Sequence, residues 1–167
     1  MNIYTQLRAQ KDDFFEFDPQ SPLTSEQKKS FNGLHYFSIN ENLRFELDIE
    51  KLKDQVSIQM QTSTGTLRTF TRHGRVQFFM DGVQASLTIF STEHGFFLPF
   101  VDAQAGVDTY GAGRYLDPEL TESGKLVVDF NLAYNPYCAY NDLYSCPIPP
   151  AENRLGVAVK AGEKNFK

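Results

Sequence analysis

The chain has 167 residues, of which 41% are hydrophobic and 22% charged, and this length and composition fit one globular domain with a sizeable buried core. Its 16 basic and 21 acidic residues give a net charge of −5, which excludes the overall positive field that general nucleic-acid binding requires. No apolar run approaches the roughly 18 residues of a membrane span, and the start lacks the apolar core of a secretion signal, so a soluble cytoplasmic protein with no membrane partner is expected.

Residues 1–33 are predicted to form an N-terminal helical segment. Apolar residues at helical spacing predict a first helix over Ile3–Phe15. Thr24 and Gln27 have the spacing of a capping box, in which the two side chains satisfy free backbone amides at the start of a helix. A second, short helix is therefore expected to run to about Phe31.

Residues 34–100 are predicted to form a β-meander scaffold. Strict alternation of apolar and polar residues in the stretches 43–49, 56–61 and 83–89 is typical of half-buried strands. Sequential strands must close or stack to avoid open edges, so the expected fold is mainly β in the α+β class, an antiparallel meander that closes into a barrel or a two-sheet sandwich, with one or two N-terminal helices. Four dipeptides that end in glycine are expected to form the hairpin turns: Thr64-Gly65, His73-Gly74, Asp81-Gly82 and His94-Gly95.

Residues 101–167 are predicted to hold the functional region together with the closing strands. Thirteen of the 15 Phe lie at or before Phe100, whereas six of the 8 Tyr lie between Tyr110 and Tyr144. Residues 102–138 carry six acidic and only two basic side chains. Phe suits a dry core while a Tyr hydroxyl needs a partner, so the Tyr-rich region is expected to contain a cleft or an interface. No linker separates it from the scaffold, and the whole chain is treated as a single domain.

Polar side chains in this region indicate a site for a small polar ligand. Asp129 and Asn131 alternate with apolar neighbours and so share one strand face, and if that face lines the mouth of a barrel, both side chains point at whatever occupies it. Two roles are weighted equally for Arg114: a structural pair with a carboxylate, or a fork onto an anionic or carbonyl group of the ligand. The predicted ligand-binding residues are Tyr110, Arg114, Tyr115, Asp117, Asp129, Asn131, Tyr134, Asn135 and Asn153.

Catalytic chemistry has few candidates. Two of the three histidines lie in expected turns, where structural roles are favoured, so neither a histidine zinc site nor a Ser-His-Asp triad is predicted. Cys138 and Cys146 leave three interpretations open: buried inert thiols, a disulfide or redox pair, or a catalytic or metal-binding thiol. The candidate catalytic residues are Asp129 or Glu163 as general base and Cys138 as nucleophile, with no metal site predicted and no cofactor identified.

Seven ordered blocks of sequence carry a family resemblance. They are Leu98-Pro99-Phe100, Tyr110–Asp117, Val128–Asn131 with Ala133–Pro136, Cys138-Ala139, Cys146–Pro150, Glu152–Leu155 and Ala161–Lys164. Together they resemble the family called domain of unknown function 1684, found in bacteria and archaea. Tyr137 stands where the family pattern has a second Pro, and the usual Trp-Arg near the start is absent. The resemblance implies no particular activity, but it does imply that the region after Phe100 is a shared signature.

Two functional hypotheses follow. The first is a cytoplasmic β-barrel-like domain that binds a small molecule in a mouth lined by Tyr, Asp, Asn and Arg, with an unidentified enzymatic activity left open. The alternative is a protein-interaction or self-association module that uses the Tyr/Pro-rich segment 134–150, whose prolines lower the ordering cost of a rigid surface. A homo-oligomer is compatible with either hypothesis.

Overall fold

The computed structural model describes residues 2–167 and begins with two helices. Helix α1 spans Ile3–Phe17, and its first turn is capped by the side chain of Asn2. Helix α2 spans Ser25–Ser30 and begins with the predicted capping box, in which Thr24 accepts from the Gln27 amide and the Gln27 side chain accepts from the Thr24 amide. Both predicted helices are confirmed, and α1 continues two residues beyond its predicted end.

Nine antiparallel strands in the described residues form two sheets. In the larger sheet the order is β2-β4-β5-β6-β7, with β3 also paired to β4, and in the smaller sheet it is β1-β9-β8. The expected mainly β, α+β architecture with few helices is thus confirmed, while no closed barrel is found in residues 2–167. The strands are β1 (Arg44–Leu47), β2 (Glu50–Lys51), β3 (Ser57–Gln61), β4 (Leu67–Met80), β5 (Val83–Thr92), β6 (Gly95–Phe100), β7 (Arg114–Leu116), β8 (Glu119–Leu120) and β9 (Leu126–Asp129).

One apolar core lies between the two sheets. Phe130, which directly follows β9, is fully buried, and its ring packs edge-on against Phe45 of β1 and Phe100 of β6, with centroids 6.1 and 5.3 Å apart. Leu126 and Val128 enter the same core from β9, as the alternation along that strand predicts. Aromatic rings from both sheets therefore meet at Phe130.

A second, smaller cluster attaches α1 to the C-terminal half of the chain. Phe15 of α1 is buried, and its ring lies edge-on to the fully buried Tyr140 at a centroid distance of 4.9 Å. Leu23 and Phe166 pack in the same cluster.

None of the helices in residues 2–167 has the length and apolar content that a bilayer crossing requires.

One predicted hairpin turn is wrong, because His73-Gly74 lies inside the long strand β4. The pairing of β4 with β5 shifts between Arg72 and Gly74, which marks a β-bulge. A side chain at Gly74 would come within 2.5 Å of the Ile49 side chain and 2.8 Å of the Glu50 carbonyl oxygen. The glycine therefore permits close approach of the neighbouring chain at β2 rather than a reversal. Gly65, Gly82 and Gly95 do have the positive φ expected of turns.

A substitution at Gly162 tests how tightly the C-terminal segment is packed. Gly162 has φ = 75°, and an added Cβ would lie 2.6 Å from the Ala133 carbonyl oxygen, a backbone atom rather than the end of a flexible side chain. We expect Gly162→Ala to lower the free energy of unfolding by about 3 kcal/mol in urea denaturation, from backbone strain and overpacking together. Gly156→Ala is the matched control, since nothing lies within 4 Å of its added Cβ. Equal stability of the two variants would contradict this account.

Candidate functional site

An open groove lined by aromatic rings, here called the aromatic groove, lies between the larger sheet and the segment 134–147. Its volume is about 460 Å³. The sheet contributes Phe70 of β4 with Phe96 and Phe97 of β6, and the opposite wall is Tyr-rich. The remaining lining residues are Arg68, Thr92, His94, Tyr115, Asp117, Tyr134, Asn135, Pro136, Tyr137, Tyr144, Ser145, Cys146 and Pro147.

The rings of the groove pack against one another in series. Phe70 stacks on Phe97 with centroids 5.3 Å apart, and Phe97 meets Tyr115 edge-on at 4.8 Å. Tyr115 in turn meets Tyr134 edge-on at 5.8 Å. The two strand-like segments that carry Tyr115 and Tyr134 exchange backbone hydrogen bonds, so the ring positions are held by the fold rather than by the rings alone.

Hydroxyl groups fix the two central tyrosines further. Tyr115 donates to the carbonyl oxygen of Pro147, and Tyr134 donates to Oδ2 of Asp117 at 2.6 Å. Burial raises the pKa of both phenols, and the Asp117 carboxylate raises that of Tyr134 further, so both remain neutral donors at physiological pH. Arg68 adds a cation to the groove, where it donates to the Ser145 carbonyl at 2.7 Å.

Two cysteines lie at one side of the groove. Cys146 lines it, and its Sγ accepts a hydrogen bond from the backbone amide of Cys138 at 3.3 Å. The hydroxyl of Tyr110 lies 3.6 Å from the Sγ of Cys138. Both thiols are free, and they are 6% and 9% exposed at Cys138 and Cys146 respectively. The structure thus places the two cysteines together, without a disulfide between them.

The surroundings of this pair shift the pKa values of the two thiols in opposite directions. A hydrogen bond from the Cys146 side chain lowers the pKa of Cys138 to about 6, against the opposing effect of burial, and the Tyr110 and Ser63 hydroxyls lower it further. The same hydrogen bond, together with burial, raises the pKa of Cys146. Both shifts favour a negative charge on Cys138 over one on Cys146.

Arg114 lies outside the groove and is engaged by the backbone. Its side chain is 1% exposed, and its amino groups donate to the carbonyl oxygens of Ala161 at 2.5 Å, Val159 at 2.9 Å and Glu163 at 3.0 Å. Burial lowers its pKa to about 10, which still leaves a full cation at neutral pH. The nearest carboxylate oxygen belongs to Asp102, 3.9 Å away. Of the two predicted roles, this geometry corresponds to a structural one.

Asp129 and Asn131 point toward each other and toward the N-terminal segment. The Oδ1 of Asp129 accepts from the backbone and side-chain amides of Asn131 at 3.0 and 2.9 Å, and its Oδ2 accepts from the Tyr4 hydroxyl of α1 at 2.6 Å. Asn131 also exchanges two hydrogen bonds with the backbone of Asn40. Their polar atoms join α1 to the loop before β1.

Glu163, a candidate general base, is a buried connector. Its Oε2 accepts from the Asn135 amide at 2.5 Å and the Tyr140 hydroxyl at 2.8 Å, and its Oε1 pairs with Nζ of Lys11 at 2.6 Å. Asn153 likewise joins separate parts of the backbone, here strands β5 and β6 of the larger sheet. It is fully buried, accepts from the amide of Thr88 and donates to the carbonyls of Thr88 and Pro99, each at 2.8 Å.

The predicted ligand-binding residues therefore divide into two sets. Tyr115, Asp117, Tyr134 and Asn135 line the aromatic groove, and Tyr110 lies at the cysteine pair. Arg114, Asp129, Asn131 and Asn153 do not line it. No group of three or more His, Cys, Asp and Glu side chains suited to a metal ion occurs in residues 2–167.

Sequence reasoning missed the wall that the larger sheet supplies. Composition places the Phe residues up to Phe100 in a dry core and gives no signal for Arg68. The adjacent pair Phe96-Phe97 was an available signal, because neighbouring residues in a strand point to opposite faces and one of the two rings must leave the core. Phe96 packs partly against the core, while Phe97 stacks on Phe70 in the groove.

Comparison with known proteins places the chain among uncharacterised relatives. The model of one family, described as protein of unknown function (DUF1684), matches residues 29–164. The chain is also similar to the solution NMR structure of an uncharacterized protein of Haloarcula marismortui, with 36% identity, coverage of 96% of this chain and 92% of that chain, and a TM-score of 0.72. No curated protein gives a match.

The role of Arg114 is tested by the substitution Arg114→Lys. A lysine keeps the charge but lacks the fork that reaches three carbonyls, so we expect the free energy of unfolding to fall by about 3 kcal/mol as charged hydrogen bonds are lost. The control is Arg44→Lys, since Arg44 makes an exposed ion pair with Glu46, and its effect should stay within about 0.5 kcal/mol. An Arg114→Lys protein with unchanged stability would show that the hydrogen bonds from Arg114 to the three carbonyls contribute little to the free energy of unfolding.

The charge on the cysteine pair is tested by alkylation. Because the thiolate is the reactive form, the rate at which iodoacetamide modifies Cys138 should rise as pH increases and reach half its maximum near pH 6. Tyr110→Phe removes a hydroxyl donor and should move this midpoint upward, whereas Tyr144→Phe alters a groove hydroxyl that has no bond to sulfur and should leave it unchanged. A midpoint near that of a free cysteine, about 8.5, would contradict the assignment.

Proposed function

The chain belongs to the DUF1684 family of proteins of unknown function, and we propose that it binds a small molecule with a flat apolar body and a polar edge in the aromatic groove. The observation that carries this proposal is the groove itself, a concave surface walled by rings from two different parts of the chain. Its volume of about 460 Å³ lies in the range typical of ligand sites.

The exposure of the rings supports binding rather than simple packing. Phe70, Phe97 and Tyr144 are only partly buried, and Tyr137 is 36% exposed, although each lies beside another ring. Apolar surface that stays accessible in a concave site gains free energy when a ligand covers it. A flat ligand would present its faces to these rings in the offset or edge-on geometries that aromatic pairs prefer.

Polar groups on the groove favour an anionic or carbonyl edge on the ligand. Arg68 is the lining residue that carries a permanent positive charge, and its guanidinium has donors beyond the one that binds the Ser145 carbonyl. In this proposal Arg68, rather than Arg114, makes the forked hydrogen bonds to the ligand. Asp117 accepts from Tyr134 and supplies a carboxylate for a donor on the same ligand.

The alternative hypothesis, self-association through the segment 134–150, has one supporting feature. Leu143 is 88% exposed at the tip of the loop between the cysteines. Most of the segment is otherwise turned inward: Tyr140 is fully buried against Phe15, and the Asn141 side chain donates to the Pro22 carbonyl at 3.2 Å. The ligand-binding proposal is favoured because the groove is formed within one chain.

Dye binding tests the proposal with two probes of similar shape. The sulfonated dye 8-anilinonaphthalene-1-sulfonate and its neutral analogue N-phenyl-1-naphthylamine should both bind the folded protein and gain fluorescence. Tyr137→Ala removes ring contact and should weaken both dyes about fivefold, since an aromatic pair contributes about 1 kcal/mol. Arg68→Gln should weaken only the sulfonated dye, because only that dye carries an anion.

The control variant is Phe79→Ala, which removes a ring that is 67% exposed outside the groove and should leave both affinities unchanged. Light scattering on the same samples shows whether binding occurs to a monomer. Binding in the groove would be contradicted if the dye affinities were unchanged in Tyr137→Ala and Arg68→Gln. It would also be contradicted if Phe79→Ala weakened the dyes as much as those two variants do. A dimer that dissociates in Leu143→Ser and loses dye binding with it would favour the self-association alternative.

A further inference from the structure

The backbone brings Cys138 and Cys146 together from two separately anchored segments. Cys138 lies in a 3-10 turn over Tyr137–Ala139. Cys146 lies in an extended segment whose backbone exchanges hydrogen bonds with Ser63 in the loop between β3 and β4. The amide of Cys138 then donates to the Sγ of Cys146 at 3.3 Å. The two thiols are thus neighbours because of the tertiary fold, and the intervening loop of seven residues closes on itself at this point.

The contacts of these sulfurs differ from those of inert core cysteines, which are surrounded by apolar groups. Cys138 faces the Tyr110 hydroxyl at 3.6 Å as well as the Cys146 thiol. The other titratable groups that act on the cluster are Tyr115, Asp142 and Arg68, and the positive charge of Arg68 acts on Cys146, whose pKa it lowers against the larger effects that raise it. Hydrogen-bond donors around the Cys138 sulfur stabilise its thiolate, which is the reactive form of cysteine.

Access to the pair is narrow but present. Cys146 lines the aromatic groove, while Cys138 lies behind it with 6% of its surface exposed. Such an opening favours a very small reactant over a bulky disulfide or a protein thiol. Hydrogen peroxide is about the size of two water molecules, and it reacts with thiolates far faster than with thiols.

We infer that Cys138 and Cys146 form a dithiol site that reduces small hydroperoxides, with Cys138 as the attacking thiolate and Cys146 as the resolving thiol. The thiolate of Cys138 attacks one peroxide oxygen, the O–O bond breaks, hydroxide leaves and Cys138 becomes a sulfenic acid. The Cys146 sulfur then attacks the Cys138 sulfur, the S–O bond breaks, and the Cys146 proton leaves with the departing oxygen as water. The cysteine pair loses two electrons and becomes a disulfide, and the peroxide gains them.

The test treats the reduced protein with hydrogen peroxide at pH 7 and counts free thiols by alkylation under denaturing conditions and intact mass. The native protein should pass from two free thiols to none, without a mass gain from added oxygen, and dithiothreitol should restore both. The disulfide should be intramolecular, so non-reducing electrophoresis should show a monomer. Retention of both thiols at peroxide concentrations that oxidise free cysteine would overturn the inference.

Single substitutions separate the two roles. Cys146→Ser should stop the reaction at a sulfenic acid on Cys138, which dimedone traps, and prolonged peroxide should carry it to sulfinic acid. Cys138→Ser should lose reactivity by at least about tenfold, because the remaining thiol is Cys146, whose pKa burial raises. Circular dichroism checks that each variant is folded, and Cys138→Ala provides a second version of the same deletion. Equal peroxide reactivity of Cys138→Ser and the unmodified protein would contradict the assignment.

Discussion

The guanidinium of Arg114 holds the end of the chain against the sheets, and much of the fold depends on this contact. Three carbonyl oxygens between Val159 and Glu163 converge on it in a region that water does not reach. A buried cation is costly unless its donors are satisfied, so the C-terminal segment has to adopt a path that presents its carbonyls to Arg114. Gly162 makes that path possible because its backbone runs directly against the carbonyls of Phe130 and Ala133.

The same segment carries the contact onward to the N-terminal helix. The Glu163 side chain binds the amide of Asn135, the hydroxyl of Tyr140 and the ammonium of Lys11 in α1. Arg114 and Glu163 therefore link β7, the tyrosine-rich segment and α1 in one polar network within an otherwise apolar interior. Removal of one member would leave charged or polar groups buried without partners, which is why such networks are sensitive to single substitutions.

With the tyrosine-rich segment held in this way, its outer edge becomes one wall of the aromatic groove. Tyr134 is positioned by its pairing with Tyr115 and by Asp117, and the chain then turns through Tyr137 and Cys138 before it returns at Cys146. Cys146 lines the groove and Cys138 lies directly behind it, so the groove and the cysteine pair are adjacent.

The sequence by itself determined the local elements: the Thr24 capping box, the first helix, the alternating strands, and the Tyr-rich region after Phe100. These depend on neighbours a few residues apart, and periodicity and capping record such interactions directly. It also marked Arg114 as one of two cations in an acidic stretch, and Asp129 as a charge that needs a partner. Only the tertiary structure decided who those partners are, because backbone carbonyls have no sequence signature and contacts such as Arg114 with Ala161 or Phe70 with Phe97 join distant residues. For the same reason the groove acquired a wall from the Phe-rich sheet, and two cysteines with no recognisable spacing became a pair.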